Sequence, residues 1–308
     1  MNLFATVLTY PAPSANYRGE SELNRTVIQK VTDGKFDYPI FSPESLRNAL
    51  RETLREYGLP SNRTRLHDEE QLAVTFADLP NVDKYADDYF FGYLVAVNDK
   101  KRKEYEKIVA TRKDSPTKFT FKRDSVLRMN MAKALEPYRH NAVFTQSPLA
   151  VEGSAYQNST TSALLHRETV VSGFQYPFAL ALSDCKPKTE WTKKLLQAIG
   201  ELNGVAGNHA RSYFEMAPAS IVVRLTKQLV AGYQTYGFTP AGAFPEVVDG
   251  ILHEPKPDYP GNEFFIGGKI VKDMTSEQVK ALEAKGATLD RDPRALLSAV
   301  ADKFLGGQ

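Results

Sequence analysis

The sequence predicts an α+β protein with a mostly antiparallel sheet. Apolar, β-prone segments occur near residues 3–10, 169–182, 221–223 and 264–271, and amphipathic helical patterns fall between them. The order strand, helix, strands, helix, strand, with a large insertion between them, indicates an α+β sandwich. A charged excursion spans residues 60–125 and lacks strong core-forming strands. We therefore expect one domain over residues 1–308, with residues 60–125 inserted into it.

The first strand is predicted from Leu3 to Tyr10, because nearly every side chain there is apolar or β-branched. A polar loop follows to Arg25. A second extended segment is predicted at residues 26–31, and the turn pair Asp33-Gly34 ends it. A helix is predicted from Pro43 to about residue 57. A serine before a proline supplies a capping oxygen and a preset φ, and Gly58 and Pro60 end the pattern.

The insertion carries a basic run at residues 100–103, and residues 90–97 fit a strand or a short helix equally well. Residues 140–170 are polar and predict a long ordered loop or hairpin, a class that is often functional. A strand at 169–182 and an amphipathic helix at 189–203, ended by Gly204, come next. The remaining predicted elements are a strand within 219–233, a strand at 264–271, and a final helix that starts at Asp292-Pro293 and ends at Gly306-Gly307.

Composition limits the partners without naming one. The formal net charge is +2 and the sequence pI is about 8.4, so any nucleic-acid binding must come from local clustering of charge. Cys185 is the only cysteine, which excludes an internal disulfide and fits a reducing cytoplasm. The N-terminus lacks a signal-peptide pattern, and no apolar run approaches the length of a membrane span. We expect a cytoplasmic protein without a membrane partner.

The predicted first helix carries Arg47, Arg51 and Arg55 at i, i+4 and i+8, so the three side chains form one stripe. Like charges at this spacing repel each other. A stripe beside a helix N-terminus, where free amides already favour anions, suits a polyanion lying across it. A solvated face, with Glu44–Arg47 and Glu52–Arg55 as i,i+3 pairs, explains the same pattern equally well.

Catalytic and metal chemistry have weaker signals. The five histidines, His67, His140, His166, His209 and His253, lack the short spacings of metal ligands. Cys185 has no recognisable catalytic partner. No metal or other cofactor is therefore expected. Asp33 and Asp37 are a possible acid–base or metal pair, but turn chemistry at Asp33-Gly34 is the favoured interpretation. The glycine loop around Gly207 lacks the ending of a P-loop.

Basic and amide side chains are instead dispersed along the chain. If they converge in the fold, they form a groove for a sugar-phosphate backbone. Met129, Met131 or Phe144 would then be candidates to wedge between bases, although each apolar side chain is as well explained by the core.

Three motifs in this order resemble one family. They are the run from Ser14 to Thr26 with Arg18 and Arg25, then Tyr38-Pro39 followed by Ser42-Pro43-Glu44-Ser45-Leu46-Arg47, and then Gly207-Asn208-His209-Ala210-Arg211. The chain resembles the DevR-type backbone subunits of type I CRISPR surveillance complexes (Cascade), of the RAMP superfamily, and is most similar to the type I-B branch. The likeness spans Leu3 to about Leu225.

This resemblance implies an RRM-like (ferredoxin-like) palm, with residues 60–125 as a helical fingers insertion and residues 141–172 as a thumb hairpin. It implies copies stacked head to tail along a guide RNA (crRNA), with target DNA and other Cascade subunits as further partners. The subunit would be a scaffold and not an enzyme. Carried over by motif, the RNA-contacting residues would be Arg25, Lys30, Ser42, Ser45, Arg47, Arg51, Asn208, His209 and Arg211, with Arg18 and Arg167 as weaker candidates.

Two alternatives remain at this point. Backbone subunits of the related type III complexes cut bound RNA with a loop aspartate after the first strand, and Asp33 or Asp37 lies in that region. A metal-dependent endoribonuclease that cleaves bound target RNA is therefore the second hypothesis. Autoregulation of expression is a third, without a helix-turn-helix signature to support it.

Overall fold

The structure is a computed structural model of the chain. It describes residues 1–14, 17–22, 25–67, 72–113, 119–146, 164–205 and 216–306. Within these ranges, the backbone alone is described for 17–22, 25–26, 65–67, 72–74, 145–146 and 164–165.

The strands, in chain order, are β1 Asn2–Leu8, β2 Ala12–Ser14, β3 Tyr17–Glu22, β4 Arg25–Ile28, β5 Lys30–Thr32, β6 Asp37–Phe41, β7 Arg63–His67, β8 Leu72–Phe76, β9 Tyr93–Leu94, β10 Lys122–Arg123, β11 Arg128–Met129, β12 Ala132–Ala134, β13 Ala142–Gln146, β14 Leu164–Glu168, β15 Val170–Ser172, β16 Phe174–Ala181, β17 Ser220–Thr226, β18 Phe264–Gly268 and β19 Thr288–Asp290. The helices are α1 Pro43–Glu56, α2 Ala86–Phe91, α3 Asp99–Thr111, α4 Leu182–Cys185, α5 Thr189–Gly200, α6 Pro245–Leu252, α7 Lys269–Asp273, α8 Ser276–Ala284 and α9 Pro293–Gly306.

The largest sheet in the described residues has nine strands. Eight follow the order β19-β18-β17-β1-β16-β12-β6-β5, and β11 pairs with β16 beside β12. Every pair in it is antiparallel except β18 with β19. The predicted α+β class with a mostly antiparallel sheet is therefore confirmed.

The first strand occupies the middle of this sheet. β1 pairs with β16 on one side and with β17 on the other. Leu3, Ala5 and Val7 alternate along one face of β1 and are buried. They share a core with side chains of α1, α5 and α9, so these three helices cover that face.

A second, smaller core lies on the opposite face. Val222 of β17 and Ile266 of β18 pack there with Phe244, Val247 and other side chains of the segment between β17 and α8. This segment covers the β17–β18 side of the sheet. The β12–β6 side, by contrast, carries half-buried side chains such as Tyr38 and Lys133.

A four-stranded sheet with the order β13-β14-β4-β3 joins two distant parts of the chain. β13 and β14 form an antiparallel pair from Ala142↔Glu168 to Gln146↔Leu164. β14 then runs parallel to β4, with His166 opposite Arg25. The two ends of the predicted hairpin at 140–170 are thus strands, and residues 147–163 between them lie outside the described residues.

Several predicted boundaries match the structure, and others move. α1 and α9 begin at the predicted prolines, whereas α5 ends at Gly200, before the predicted Gly204. The ambiguous stretch 90–97 contains the end of α2, then Gly92, then the short strand β9. Five helices that the sequence patterns did not single out, α3, α4, α6, α7 and α8, are also present, and α7 replaces the end of the strand predicted at 264–271.

Candidate nucleic-acid interface

The N-terminus of α1 has a complete side-chain cap. Ser42 has extended backbone angles, with φ −67° and ψ 152°, and its Oγ accepts a hydrogen bond from the Ser45 backbone N–H at 3.2 Å. The Ser42 hydroxyl also lies 3.2 Å from Oγ of Ser45. Pro43 fills the first helical position, where its missing N–H costs nothing. Both predicted serines therefore lie at the positive end of the helix dipole, half-buried and close together.

The three arginines of α1 do not form a uniform exposed stripe. Arg55 is half-exposed and forms an ion pair with Glu52, as the solvated-face interpretation expects. Arg51 is only 8% exposed; its guanidinium lies 4.8 Å from the ring centre of Phe91 and donates to Oδ1 of Asn48. Arg47 is half-buried. The three side chains therefore have three different environments.

Arg47 and Arg51 share one property that Arg55 lacks. The Nε atoms of both are buried and have no hydrogen-bond partner among the described residues. A buried donor without an acceptor costs free energy that a bound anion would recover. Burial lowers the pKa of Arg51 to about 10, and the neighbouring charge of Arg63 acts in the same direction. An anion beside Arg51 would counter both effects.

Lys30 is held by a carboxylate and a ring. Its ammonium lies 3.6 Å from Oε2 of Glu168 and 4.2 Å from the ring centre of Tyr138. Glu168 is 2% exposed and also accepts a hydrogen bond from the Ile28 N–H at 3.2 Å. This contact joins β5 to β14, so it ties the end of the predicted thumb range to the hairpin that leads into α1.

The four-stranded sheet collects three further predicted residues. Arg25 lies on β4 opposite His166, and Arg167 lies on β14 opposite Thr26. Arg18 lies on β3, the neighbour of β4. Arg167 is half-buried. For Arg18 and Arg25, only the backbone position on the strand is described. Residues separated by about 150 positions in the sequence thus occupy adjacent strands.

The glycine-loop residues Asn208, His209 and Arg211 lie outside the described residues. Their convergence with α1 and the four-stranded sheet therefore stays a prediction.

Asp33, the candidate for an RNA-cleaving site, has a local structural role. Its Oδ1 accepts hydrogen bonds from the backbone N–H groups of Lys35 at 2.9 Å and Phe36 at 2.8 Å, which closes the turn between β5 and β6. These two bonds lower the pKa of Asp33 below its ordinary value. The geometry is the turn chemistry expected for Asp33-Gly34. Within the described ranges, no three His, Cys, Asp or Glu side chains gather as metal ligands.

Sequence reasoning missed Lys133. Its ammonium lies 4.6 Å from the ring centre of Tyr38 and 5.7 Å from that of Tyr236. Its positive charge also contributes to the lowered pKa of Asp33. A lysine between two buried alanines, Ala132 and Ala134, is the signal that points to it, because alternation places its side chain on the opposite face of the sheet from the helices.

The three candidates for wedging between bases, Met129, Met131 and Phe144, differ in their exposure to solvent. Met129 is 8% exposed and belongs to the main core, and Met131 is half-buried. Phe144 of β13 is 65% exposed, and its ring centre lies 4.2 Å from that of His166 across the strand pair. An aromatic side chain held on a strand but open to solvent suits stacking against a base.

In the part of the chain that the structure describes, no helix combines the length and apolar character needed to cross a bilayer.

Comparison with known proteins shows a relative in sequence. The chain is 29% identical over 293 residues to the "CRISPR-associated protein Cas7/Cst2/DevR" of Myxococcus xanthus (strain DK1622), covering 92% of this chain and 91% of the relative. The chain is therefore similar to a Cas7/Cst2/DevR protein over nearly its whole length. The resemblance to DevR-type proteins that the motifs predicted is therefore confirmed. No family model matches the sequence.

Two solved structures share the fold of this chain. A chain of a "CRISPR RNA-guided surveillance complex" superposes with a TM-score of 0.54, at 12% identity and 98% coverage of both chains. A chain of a "CRISPR RNA-guided surveillance complex, pre-nicking" superposes with a TM-score of 0.52, at 12% identity, covering 99% of this chain and all of that one. At this identity, the comparison establishes a shared fold over nearly the whole length.

Proposed function

We propose that this protein is a Cas7-type, non-catalytic backbone subunit of a CRISPR Cascade complex in the cytoplasm. Several copies bind one guide RNA head to tail, grip its phosphates and leave its bases free to pair with target DNA. The sequence relationship over 92% of the chain and the fold shared with chains of surveillance complexes support this proposal. Other subunits of the complex would cap the filament.

The start of α1 is the observation that carries the RNA-binding part. It combines the positive end of a helix, two serine hydroxyls, and two arginines whose buried Nε donors have no partner among the described residues. A phosphate diester offers several acceptor oxygens and one negative charge, so it suits both the free donors and the helix end. Contacts of this kind carry no base sequence information, which suits a subunit that coats any guide.

The remaining predicted contacts extend this surface. Lys30 and the strands carrying Arg18, Arg25 and Arg167 would bind the next phosphates, and Asn208, His209 and Arg211 would contribute from the glycine loop. We propose an RRM-like palm for the nine-stranded sheet and its helices, a fingers insertion over residues 60–125, and a thumb over residues 141–172. The exposed Phe144 on β13 would then stack on a guide base at the base of the thumb.

The test is a set of matched arginine variants of the whole chain, co-expressed with guide RNA. Arg47→Ala should weaken RNA binding about tenfold or more and make the slope of log K against log salt less negative by about one, because one phosphate contact is lost. Arg55→Ala is the control: the same change on the same helix, at a side chain already paired with Glu52. Equal binding and equal salt slopes in the two variants would overturn the assignment.

Arg51→Ala needs a second readout because the side chain is buried against Phe91. Its RNA affinity should be compared at a temperature well below its own unfolding midpoint.

An Asp33→Ala variant tests the nuclease alternative directly. Metal-dependent cleavage of a complementary RNA that disappears in this variant would replace the scaffold proposal.

A further inference from the structure

A rigid turn presents two apolar side chains to solvent at one end of the central strands. Leu229 is 88% exposed and Val230 is 64% exposed, directly after β17. The Gln228 carbonyl accepts a hydrogen bond from the side chain of Asn2 at 2.7 Å, and the Ala231 carbonyl accepts one from Arg224 at 2.7 Å. We call residues 227–230 the apolar turn. Adjacent exposed apolar side chains on a well-anchored turn indicate a contact with another macromolecule.

The anchor of this turn is itself buried. Arg224 is 3% exposed and donates from Nε to Oε2 of Glu263 at 2.7 Å, while its Nη1 holds the Ala231 carbonyl. The turn therefore keeps its shape without a partner, so little ordering cost opposes binding.

A cavity of about 310 Å³ lies at the other end of the same strands. Its lining includes Leu8 and Leu135, and Tyr10 and Val171 contribute exposed apolar surface. Asn2 pairs with Thr226 at the end near the apolar turn, and Leu8 pairs with Ser220 at the end near the cavity. Six residues of strand separate the two ends, a distance of roughly 20 Å.

The charges beside the two features are opposite. Lys227 is exposed at the start of the apolar turn. The lining of the cavity holds two exposed charged side chains, Glu136 and Lys269, and Lys269 is paired with Asp273. Because Lys269 is already paired, Glu136 is the charge of this lining that has no ion pair among the described residues. A projection and a recess at opposite ends of one molecule, with complementary charge, define a heterologous interface that repeats without closing.

We propose that the apolar turn of one copy inserts into the Leu8–Leu135 cavity of the next copy, with Lys227 paired to Glu136 across the contact. This inference rests on the proposed function only for the guide RNA that aligns the copies. It adds the residues that meet and the direction of stacking, along β1 and β17.

Engineered cysteines can test the contact by disulfide formation. The native Cys185 is buried, so it should not form competing disulfides. A Leu229→Cys/Val171→Cys variant should form a ladder of disulfide-linked multimers after mild oxidation. A Leu94→Cys/Val171→Cys variant is the control, since Leu94 is 64% exposed but lies on β9. Both variants are oxidised with and without guide RNA, at high protein concentration. A ladder that is absent from the first variant in both conditions, or equal in the two variants, overturns the contact.

Charge exchange gives a second readout that does not depend on disulfide geometry. Lys227→Glu should lower cooperative assembly on a long RNA at least about tenfold and leave binding to an RNA long enough for one copy unchanged. Adding Glu136→Lys should restore assembly. No loss in the single variant, or no recovery in the double variant, counts against the contact. A ladder from a protein that binds no RNA supports the contact and overturns the proposed function instead.

Discussion

The ammonium of Lys30 lies 3.6 Å from the carboxylate of Glu168, a side chain that is only 2% exposed. The same carboxylate accepts the backbone N–H of Ile28. One buried acid thus fixes both the strand that carries a predicted RNA contact and the backbone just before it. The position of Lys30 depends on a residue almost 140 positions later in the chain.

We expect Glu168→Ala to lower the free energy of unfolding by about 2–4 kcal/mol, because it leaves a buried N–H and a partly buried ammonium without their acceptor. Chemical denaturation measures this. His140→Ala is the control, since the ring is 60% exposed and lies 3.9 Å from the same carboxylate; its effect should stay within about 0.5 kcal/mol. A comparable loss in both variants would contradict this account of the buried acid.

Ser42 allows the cap of α1 to be separated from its proposed phosphate contact. Asp caps helices as well as Ser does, so Ser42→Asp should change stability by less than about 0.5 kcal/mol. Its negative charge should nevertheless repel a phosphate and weaken guide-RNA binding about tenfold or more. Thermal unfolding and RNA titration on the same sample measure the two effects. Ser42→Ala removes the cap, so it should lower the free energy of unfolding by about 1 kcal/mol. RNA binding by Ser42→Asp at the original strength would remove Ser42 from the interface.

Asp88 should make stability depend on pH. Burial raises the pKa of Asp88 to about 6, and its Oδ1 has no partner among the described residues. Because the folded state holds this proton more tightly than the unfolded state, stability falls as pH rises from about 4 through 6. Asp88→Asn removes this titration. The free energy of unfolding of Asp88→Asn minus that of the original protein should be about 2 kcal/mol larger at pH 7.5 than at pH 4.5.

Guanidinium denaturation of both proteins at the two pH values measures that difference, and groups that titrate in both proteins cancel. Asp87→Asn is the contrasting variant. Asp87 accepts hydrogen bonds from the backbone N–H groups of Asn62 and Arg63, so an amide there should destabilise at both pH values. A gain for Asp88→Asn that is equal at both pH values, or larger in acid, would show that Asp88 is not responsible.

Two glycines with positive φ should differ sharply in tolerance to alanine. A Cβ at Gly92 would lie 2.3 Å from the carbonyl oxygen of Arg123, whereas a Cβ at Gly58 would meet nothing within 4 Å. Gly58→Ala should cost about 1–2 kcal/mol from backbone conformation alone. Gly92→Ala should cost more than about 3 kcal/mol because the backbone of β10 must also move. Equal unfolding midpoints would contradict the close approach of these two segments.

Local signals in the sequence explain which elements were predicted well. Ser42-Pro43 and Asp292-Pro293 start helices through capping and a preset φ, and both helices begin at those prolines. α3 lacks any buried residue and α8 buries only Leu282. Without an apolar face, neither helix produces the periodicity on which sequence prediction depends.

The candidate site shows the same division between local and distant information. The arginine spacing on α1 is visible in the sequence, but the burial of Arg51 depends on Phe91, which lies 40 positions later and on another helix. Glu168 is similar, because its partners come from β4 and β5 through a parallel pairing with β14. Side-chain environments set by such long-range contacts cannot be derived from local pattern.

The central place of β1 also determines the order in which the protein can fold during its synthesis. β1 leaves the ribosome well before its two partners, residues 175–181 and 220–226. Its apolar edges therefore remain unpaired while more than half of the chain is translated, and the long loops that must close slow the pairing further. A nascent chain of this protein therefore exposes both edges of β1 until β16 and β17 have emerged.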